Sequence, residues 1–235
     1  MIEAVLFDWG GTLMQFAWSD ELLEAGHRAG LAALGREDEA DAITARFREV
    51  HEPLLREPGA ADRIDYRLVL RDLLGDATDE ELDSFVRAEH EVWAPSHGLA
   101  STTIALLEAL RRRGLKLGVV ANAWPEPPDL LREDLDRLGV APLLDVVVFS
   151  GEVGARKPDA AIFRHALDAL GVEAFAAMFV GDKRVDDIAG AAALGLTTVQ
   201  ALWFEADENP AGAEPDFMAF TQMDVLNVVR RLNGD

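Results

Sequence analysis

An α/β fold, a doubly wound parallel sheet of Rossmann-like type with an inserted all-helical domain, follows from three features of the sequence. Short apolar runs without polar alternation recur along the chain, and each reads as a strand buried on both faces. Amphipathic helical stretches closed by glycine separate most of these runs, which implies right-handed crossovers and a parallel sheet. Between the first run and the second lies a long segment, Met14 to His97, whose periodicity is helical throughout.

The first run, Val5-Leu6-Phe7, stops at Asp8 and is followed by Gly10, Gly11 and Thr12. The two glycines permit a tight turn that brings backbone close to a ligand. Ser19 opens a helix through Leu22, Leu23, His27, Leu31 and Leu34, with Gly35 as its stop. A second amphipathic stretch runs from about Glu37 to Leu55 and is broken by Pro58-Gly59, and a third covers Tyr66 to Leu74. Thr78 and Glu81 form a capping box that starts a fourth helix through Val92. Pro95 to Gly98 reads as the return hinge, so the expected domains are a core of residues 1–13 and 98–235 and a helical insert of residues 14–97.

Past Gly98 helix and strand alternate. Helices are predicted over Thr102–Arg113, from Pro127-Pro128 to Gly139, from Pro158 in a first turn to about Gly171, over Ile188–Leu194 and over Asp224–Leu232. Strands are predicted at Leu115–Ala121, Val146–Phe149, Ala177–Val180 and Leu196–Ala201, the last of the sheet. Asp207 to Pro215 reads as a polar loop.

Composition narrows the classes of function. The 235 residues suffice for a core plus a smaller insert, and the 49% hydrophobic share suits a globular interior. The absence of cysteine excludes a disulfide framework, a zinc cluster and a thiol nucleophile. A formal charge of −21 argues against a nucleic-acid backbone as partner. No basic segment followed by an apolar region opens the chain and no apolar run is long enough to span a bilayer, so no membrane association and a cytoplasmic location are expected. Lysine occurs only at Lys116, Lys157 and Lys183.

The polar residues just past the strands carry the functional reading. Ligands bind open parallel sheets beyond the carboxyl ends of the strands. The first strand delivers Asp8, Gly10 and Thr12 there, and the second delivers Asn122. The third leads to Lys157 and the fourth to Asp182, Asp186 and Asp187. Singly, each has a bland account as a helix cap, a turn residue or a surface charge. Four successive strand ends are poorly explained that way, and one of only three lysines falls among them. Carboxylates with a lysine and an amide suit a hard divalent cation and a phosphoryl group: Mg²⁺ takes one or two carboxylates plus phosphate oxygens, and an ammonium offsets the accumulated negative charge.

These segments resemble the four motifs of the haloacid dehalogenase superfamily of hydrolases. The first is Phe7-Asp8-Trp9-Gly10-Gly11-Thr12-Leu13 and the second Gly118 to Ala123. The third is Gly151 to Asp159, running on to Ile162-Phe163, and the fourth is Val180-Gly181-Asp182 with Asp187 and Gly190-Ala191. The insert matches the family's C1 cap. The resemblance implies a nucleophile at Asp8 forming an aspartyl-phosphate, with Mg²⁺ held by Asp8, the carbonyl of Gly10 and Asp182, and Asp187 in or near that shell. It implies that Lys157 binds phosphate and steadies Asp8, with Gly11, Thr12 and Asn122 helping to hold the transferring group. The partner implied is a small phosphorylated molecule; its identity and the oligomeric state leave no mark in the sequence.

Two departures from the family pattern matter. Family phosphatases usually carry an acid two positions after the nucleophile, where this chain has Gly10. Loss of a positioned general acid costs about 10²–10⁴-fold. Ala121 stands where Ser or Thr is usual, which removes a hydroxyl contact of about 1–3 kcal/mol. Three readings follow. A phosphatase could take its proton from elsewhere, with His27, His51, His90 and His97 as titratable candidates that each read first as surface residues, or could need none for a good leaving group. A dehalogenase needs no acid, because halide leaves unprotonated, but does not use Mg²⁺. A catalytically impaired member would bind a phosphorylated ligand or partner. The first motif is also similar to that of phosphonoacetaldehyde hydrolases, but those require a cap lysine and residues 14–97 contain none. Trp18, Arg63, Arg67 and Trp93 are pocket candidates whose helical spacing fits packing or solvation equally well.

Overall fold

Four residues, Ala4–Phe7, form the strand on which the sheet is built (β1), and all four are fully buried. In the computed structural model, which describes residues 1–55, 65–204 and 211–234, seven more strands follow. They are β2 (Met14–Phe16), β3 (His97–Leu99), β4 (Lys116–Ala121), β5 (Val146–Phe149), β6 (Ala177–Gly181), β7 (Thr197–Ala201) and β8 (Phe217–Ala219). Six of them make one sheet in the order β5-β4-β1-β6-β7-β8, with every pairing parallel. The chain builds outward from β1 to β5, then crosses back to β6 and builds the other way. The strand order therefore reverses between β1 and β6, which is the crevice where open α/β sheets bind ligands.

The helix Ala160–Leu170 shows why this sequence covers the sheet. Ile162, Phe163, Ala166, Leu167 and Leu170 fall on one face at helical spacing and all are buried. They pack on Ala4, Leu6, Val120, Val148 and Phe179 of the strands. The rings of Phe163 and Phe179 meet edge to face, with centroids 5.0 Å apart. Burial of one such ring contributes about 2–3 kcal/mol. Asp159 caps the helix by accepting from the Ala161 amide at 2.8 Å.

The chain folds as two compact units. The first comprises Met1–Phe16, Gly98–Asn122 and Leu135–Asp235; the second comprises Ala17–His97 and Ala123–Asp134. The second unit is helical. Ser19 caps the helix Asp20–Ala33, Asp65 caps Tyr66–Leu74, and Thr78 with Glu81 forms the capping box of Asp79–Trp93. Its interior holds polar groups as well as Leu23, Leu31, Leu70, Leu82 and Phe85. His27 Nδ1 lies 2.9 Å from Thr44 Oγ1, and the Tyr66 hydroxyl donates to both oxygens of Glu89 at 2.9 Å. Ala123–Asp134 belongs here because Arg87 pairs with Glu133 and Asp129, Trp124 stacks edge-on to Tyr66, and His90 meets Glu126.

Several local expectations are corrected. Residues 14–97 are not free of strand: Met14–Phe16 pairs with His97–Leu99 in a two-stranded ribbon, three residues each and too short to leave a periodicity. Leu196–Ala201 is not the last strand, since β8 adds a sixth at the edge. The stretch from Glu37 to Leu55 is a succession of short helical segments rather than one helix. Pro158 precedes the helix it was expected to open, because Asp159 is the cap. The Pro58-Gly59 break, Arg63 and residues 205–210 of the polar loop lie outside the described residues. Among those described, no helix is long and apolar enough to cross a membrane.

Candidate active site

All the strand-end residues singled out above belong to the first unit. The Asp8 amide donates to the Val180 carbonyl at 2.9 Å, which extends the β1–β6 ladder one step and fixes the carboxylate at the edge of the sheet. The chain then turns tightly. The amides of Leu13 and Met14 donate to the Trp9 carbonyl, and the Gly11 amide donates to the Met14 carbonyl at 2.8 Å. Trp203 Nε1 ties the turn down by donating to the Thr12 carbonyl at 2.8 Å.

Lys157 is the centre of the arrangement. Its Nζ lies 2.6 Å from Asp8 Oδ1 and 2.5 Å from Asp187 Oδ1, with the side chain of Lys157 only 3% and that of Asp187 1% exposed. The face of Phe179 lies 5.5 Å below the ammonium, a cation–π arrangement. Burial works against this charge, yet Asp187 and Asp8 hold the lysine well above its usual range. Asn122 positions Lys157 through the backbone. Its Oδ1 accepts from the Lys157 amide at 2.9 Å and its Nδ2 donates to the Lys157 carbonyl at 3.2 Å.

Two glycines let the acids approach. Gly11 has φ +81°, which favours glycine, and a Cβ there would fall 2.5 Å from Asp182 Oδ2. A Cβ on Gly181 would collide with the side chain of Asp187. Asp187 is fully committed: Oδ1 faces Lys157, and Oδ2 accepts from the Lys183 amide at 2.9 Å. Asp182 differs. Its Oδ1 is buried without a hydrogen-bond partner. Burial first, and the charges of Asp187 and Asp8 second, push this carboxyl well above the usual carboxylate range. Burial and Asp8 likewise raise Asp187, with Lys157 pulling the other way.

An unsatisfied buried carboxylate oxygen signals a missing positive partner. One oxygen from each of Asp8, Asp182 and Asp187 lies within 4.8 Å of the others, and an all-oxygen donor set suits a hard cation such as Mg²⁺. The residues present therefore fit such an ion.

Asp8, Lys157, Asp182 and Asp187 are thus brought together as a set, with Asn122 bound to the lysine's own backbone. Gly11 and Thr12 use their amides within the turn, and Thr12 Oγ1 is buried without a partner. Sequence reasoning missed three contributors: the Lys183 amide, the Phe179 ring and Trp203. A backbone amide leaves no residue signature, and the two aromatics read as ordinary core. The histidines considered as substitute acids are not mainly surface residues, since His27, His90 and His97 are buried in the second unit. Trp93 is buried there with its Nε1 donating to the Leu22 carbonyl; Arg67 pairs with Asp79 and Asp83, and Trp18 is half-exposed.

Residues 2–195 match the family model described as haloacid dehalogenase-like hydrolase. The chain is 32% identical, over the full length of both, to a glyceraldehyde 3-phosphate phosphatase of Methanopyrus kandleri. It is 42% identical over 110 residues to a phosphoserine phosphatase of Thermus thermophilus, spanning 47% of this chain and 42% of that protein. Among solved structures it is similar to a HAD phosphatase from Thermococcus onnurineus, with TM-score 0.68, 28% identity and coverage of 97% and 98% of the two chains.

Proposed function

The chain belongs to the haloacid dehalogenase-like hydrolases, and from that premise we propose that it is a Mg²⁺-dependent phosphatase acting on a small phosphorylated metabolite through Asp8. The observation that carries this reading is the Lys157 ammonium held between Asp8 and Asp187, beside the unpartnered Asp182 Oδ1. A carboxylate nucleophile is weakened by protonation and by disorder. Lys157 opposes both, and Asn122 holds Lys157 in place.

In this reading Asp8 attacks phosphorus, an aspartyl-phosphate forms, and the ester oxygen leaves with its bonding electrons and takes its proton from water. Water then attacks that phosphorus, releasing inorganic phosphate and restoring the Asp8 carboxylate. Asp8, the Gly10 carbonyl and Asp182 are the residues that would hold Mg²⁺, which supplies charge neutralisation for the phosphoryl oxygens. Lys157 supplies a fixed positive charge beside Asp8, where dry surroundings make it more effective. The phosphatase activities named for the two relatives support the reaction class.

A second reading has its own observation. Gly10 leaves the leaving oxygen without the usual proton donor, as a slow or binding-only member would. Phosphate release from a panel of esters and one acyl phosphate, with and without Mg²⁺ and with Asp8→Asn as control, separates the two. Mg²⁺-dependent release lost in Asp8→Asn establishes the phosphatase. Release from no member of the panel, with Mg²⁺ bound, favours the impaired member or a substrate that is not a phosphate.

A further inference from the structure

The second unit holds a second convergence of ligating groups that takes no part in the chemistry above. His90 comes from the last turn of the helix Asp79–Trp93, His97 from the start of β3, Glu126 from the segment after β4, and Asp134 from the helix Pro128–Arg137. They are 5%, 3%, 5% and 0% exposed. Two imidazoles and two carboxylates in one interior are costly unless they serve each other or a shared ion.

Their spacing favours the ion. Glu126 Oε1 lies 3.3 Å from His90 Nδ1 and 3.5 Å from His97 Nε2. One donor atom from each of the three lies within 4.8 Å of the other two. Nitrogen and oxygen ligands about 2.0–2.2 Å from a tetrahedral ion stand roughly 3.3–3.6 Å from one another, so both measured edges fall in that range. Asp134 supplies the supporting shell. Its Oδ2 meets His97 Nδ1, and its Oδ1 lies 3.8 Å from His90 Nε2. A carboxylate behind a histidine whose other nitrogen faces the ligand set is the usual orienting device of metal sites.

We propose that His90, His97 and Glu126 form a binding site for a divalent transition ion of the Zn²⁺ type, with Asp134 as the positioning residue. Two imidazoles favour Zn²⁺, Co²⁺ or Ni²⁺ over Mg²⁺, so this site and the all-oxygen site are selective for different ions. A divalent charge cancels the two carboxylates with both histidines neutral. Three protein ligands leave a fourth position for water. The ion joins the two stretches of chain that make up the second unit, since His90 and His97 lie in Ala17–His97 and Glu126 in Ala123–Asp134. Its role is to fasten these stretches together.

The test is calorimetric titration of the chelator-stripped full-length protein with Zn²⁺ in excess Mg²⁺, followed by X-ray absorption at the zinc edge. The expected result is one Zn²⁺ per chain, a raised Tm and a first shell of two imidazoles with oxygen. Asp8→Asn should bind Zn²⁺ as the parent does. Glu126→Gln and Asp134→Asn, which keep side-chain size, should each lose about 10–100-fold in affinity. The proposal is overturned if folded wild-type protein takes up no Zn²⁺ in excess Mg²⁺, or if the bound ion shows no imidazole. It is equally overturned if Asp8→Asn removes binding while Glu126→Gln keeps it. None of these outcomes bears on the phosphatase reading.

Discussion

Gly10→Asp is the substitution that separates a missing acid from a site altered in other ways. Gly10 is exposed, and a Cβ built on it meets no heavy atom within 4 Å. An aspartate therefore fits without displacing the turn, whose hydrogen bonds run through Trp9, Gly11 and Met14. Position 10 is two residues past Asp8, so the new carboxyl stands on the same turn as the nucleophile. A positioned general acid is worth about 10²–10⁴-fold, or roughly 2.7–5.5 kcal/mol of barrier. That gain applies only where the leaving oxygen needs a proton. Across a series from nitrophenyl to alkyl phosphates, kcat/KM of Gly10→Asp should rise most for the alkyl esters and little for the nitrophenyl ester, flattening the dependence on leaving-group pKa. Gly10→Asn controls for shape and Asp8→Asn for background. Equal rates for Gly10→Asp and Gly10→Asn, or a gain uniform across the series, would refute the reasoning.

Further outcomes follow from the same geometry. Lys157→Met leaves Asp8 and Asp187 buried without their cation and should cost about 3–5 kcal/mol of stability in chelator, part of it restored by Mg²⁺; melting with and without Mg²⁺ checks this. Gly181→Ala places a methyl on Asp187 and should destabilise by about 1–3 kcal/mol, with a larger proportional loss of phosphate release than of helical content. Burial, aided by the charge of Arg48, pushes His27 from 6.5 down to about 4. Its contribution is therefore full above pH 6.5 and is lost as pH falls toward 4, about 3 kcal/mol in all. Buried Glu89, raised well above the usual carboxylate range, has the opposite sign. His27→Gln should accordingly flatten the loss of stability between pH 6.5 and 4 in denaturant titrations at stepped pH.

The sheet and the acid–lysine set were legible because each rests on a long-lived pattern. Val5-Leu6-Phe7, Val146–Phe149 and Ala177–Val180 are apolar without alternation, and each is followed by the polar group it delivers. Lys157 stood out because lysine is rare in this chain. Short pairings left no such trace. Phe217–Ala219 and Met14–Phe16 are strands because a neighbouring edge offers hydrogen bonds, not because three residues encode a period. Asn122 reads equally well as a turn residue or as a ligand for phosphate, and only the fold shows its amide clamped on the Lys157 backbone. The partition of Ala123–Asp134 was hidden for the same reason: its partners Tyr66, Arg87 and His90 are distant in sequence, and pairing of that kind is set by the fold.

The place of β1 in the sheet has a consequence for how the protein is made. β1 is central, yet it leaves the ribosome before the strands that flank it, and the residues registered opposite Ala4 are Lys116 and Ala177. Asp8 and Lys157, 149 residues apart, cannot meet before most of the chain exists. Folding dominated by such distant pairings is slow. The helices Asp20–Ala33 and Asp79–Trp93, which pack on each other, are complete much earlier. During synthesis the order of events is therefore inverted relative to the finished architecture: the inserted helices can assemble while β1, an apolar strand with both edges bare, waits for its neighbours. An unpaired strand of this kind is a site of self-association, and it is the interval a chaperone would have to cover.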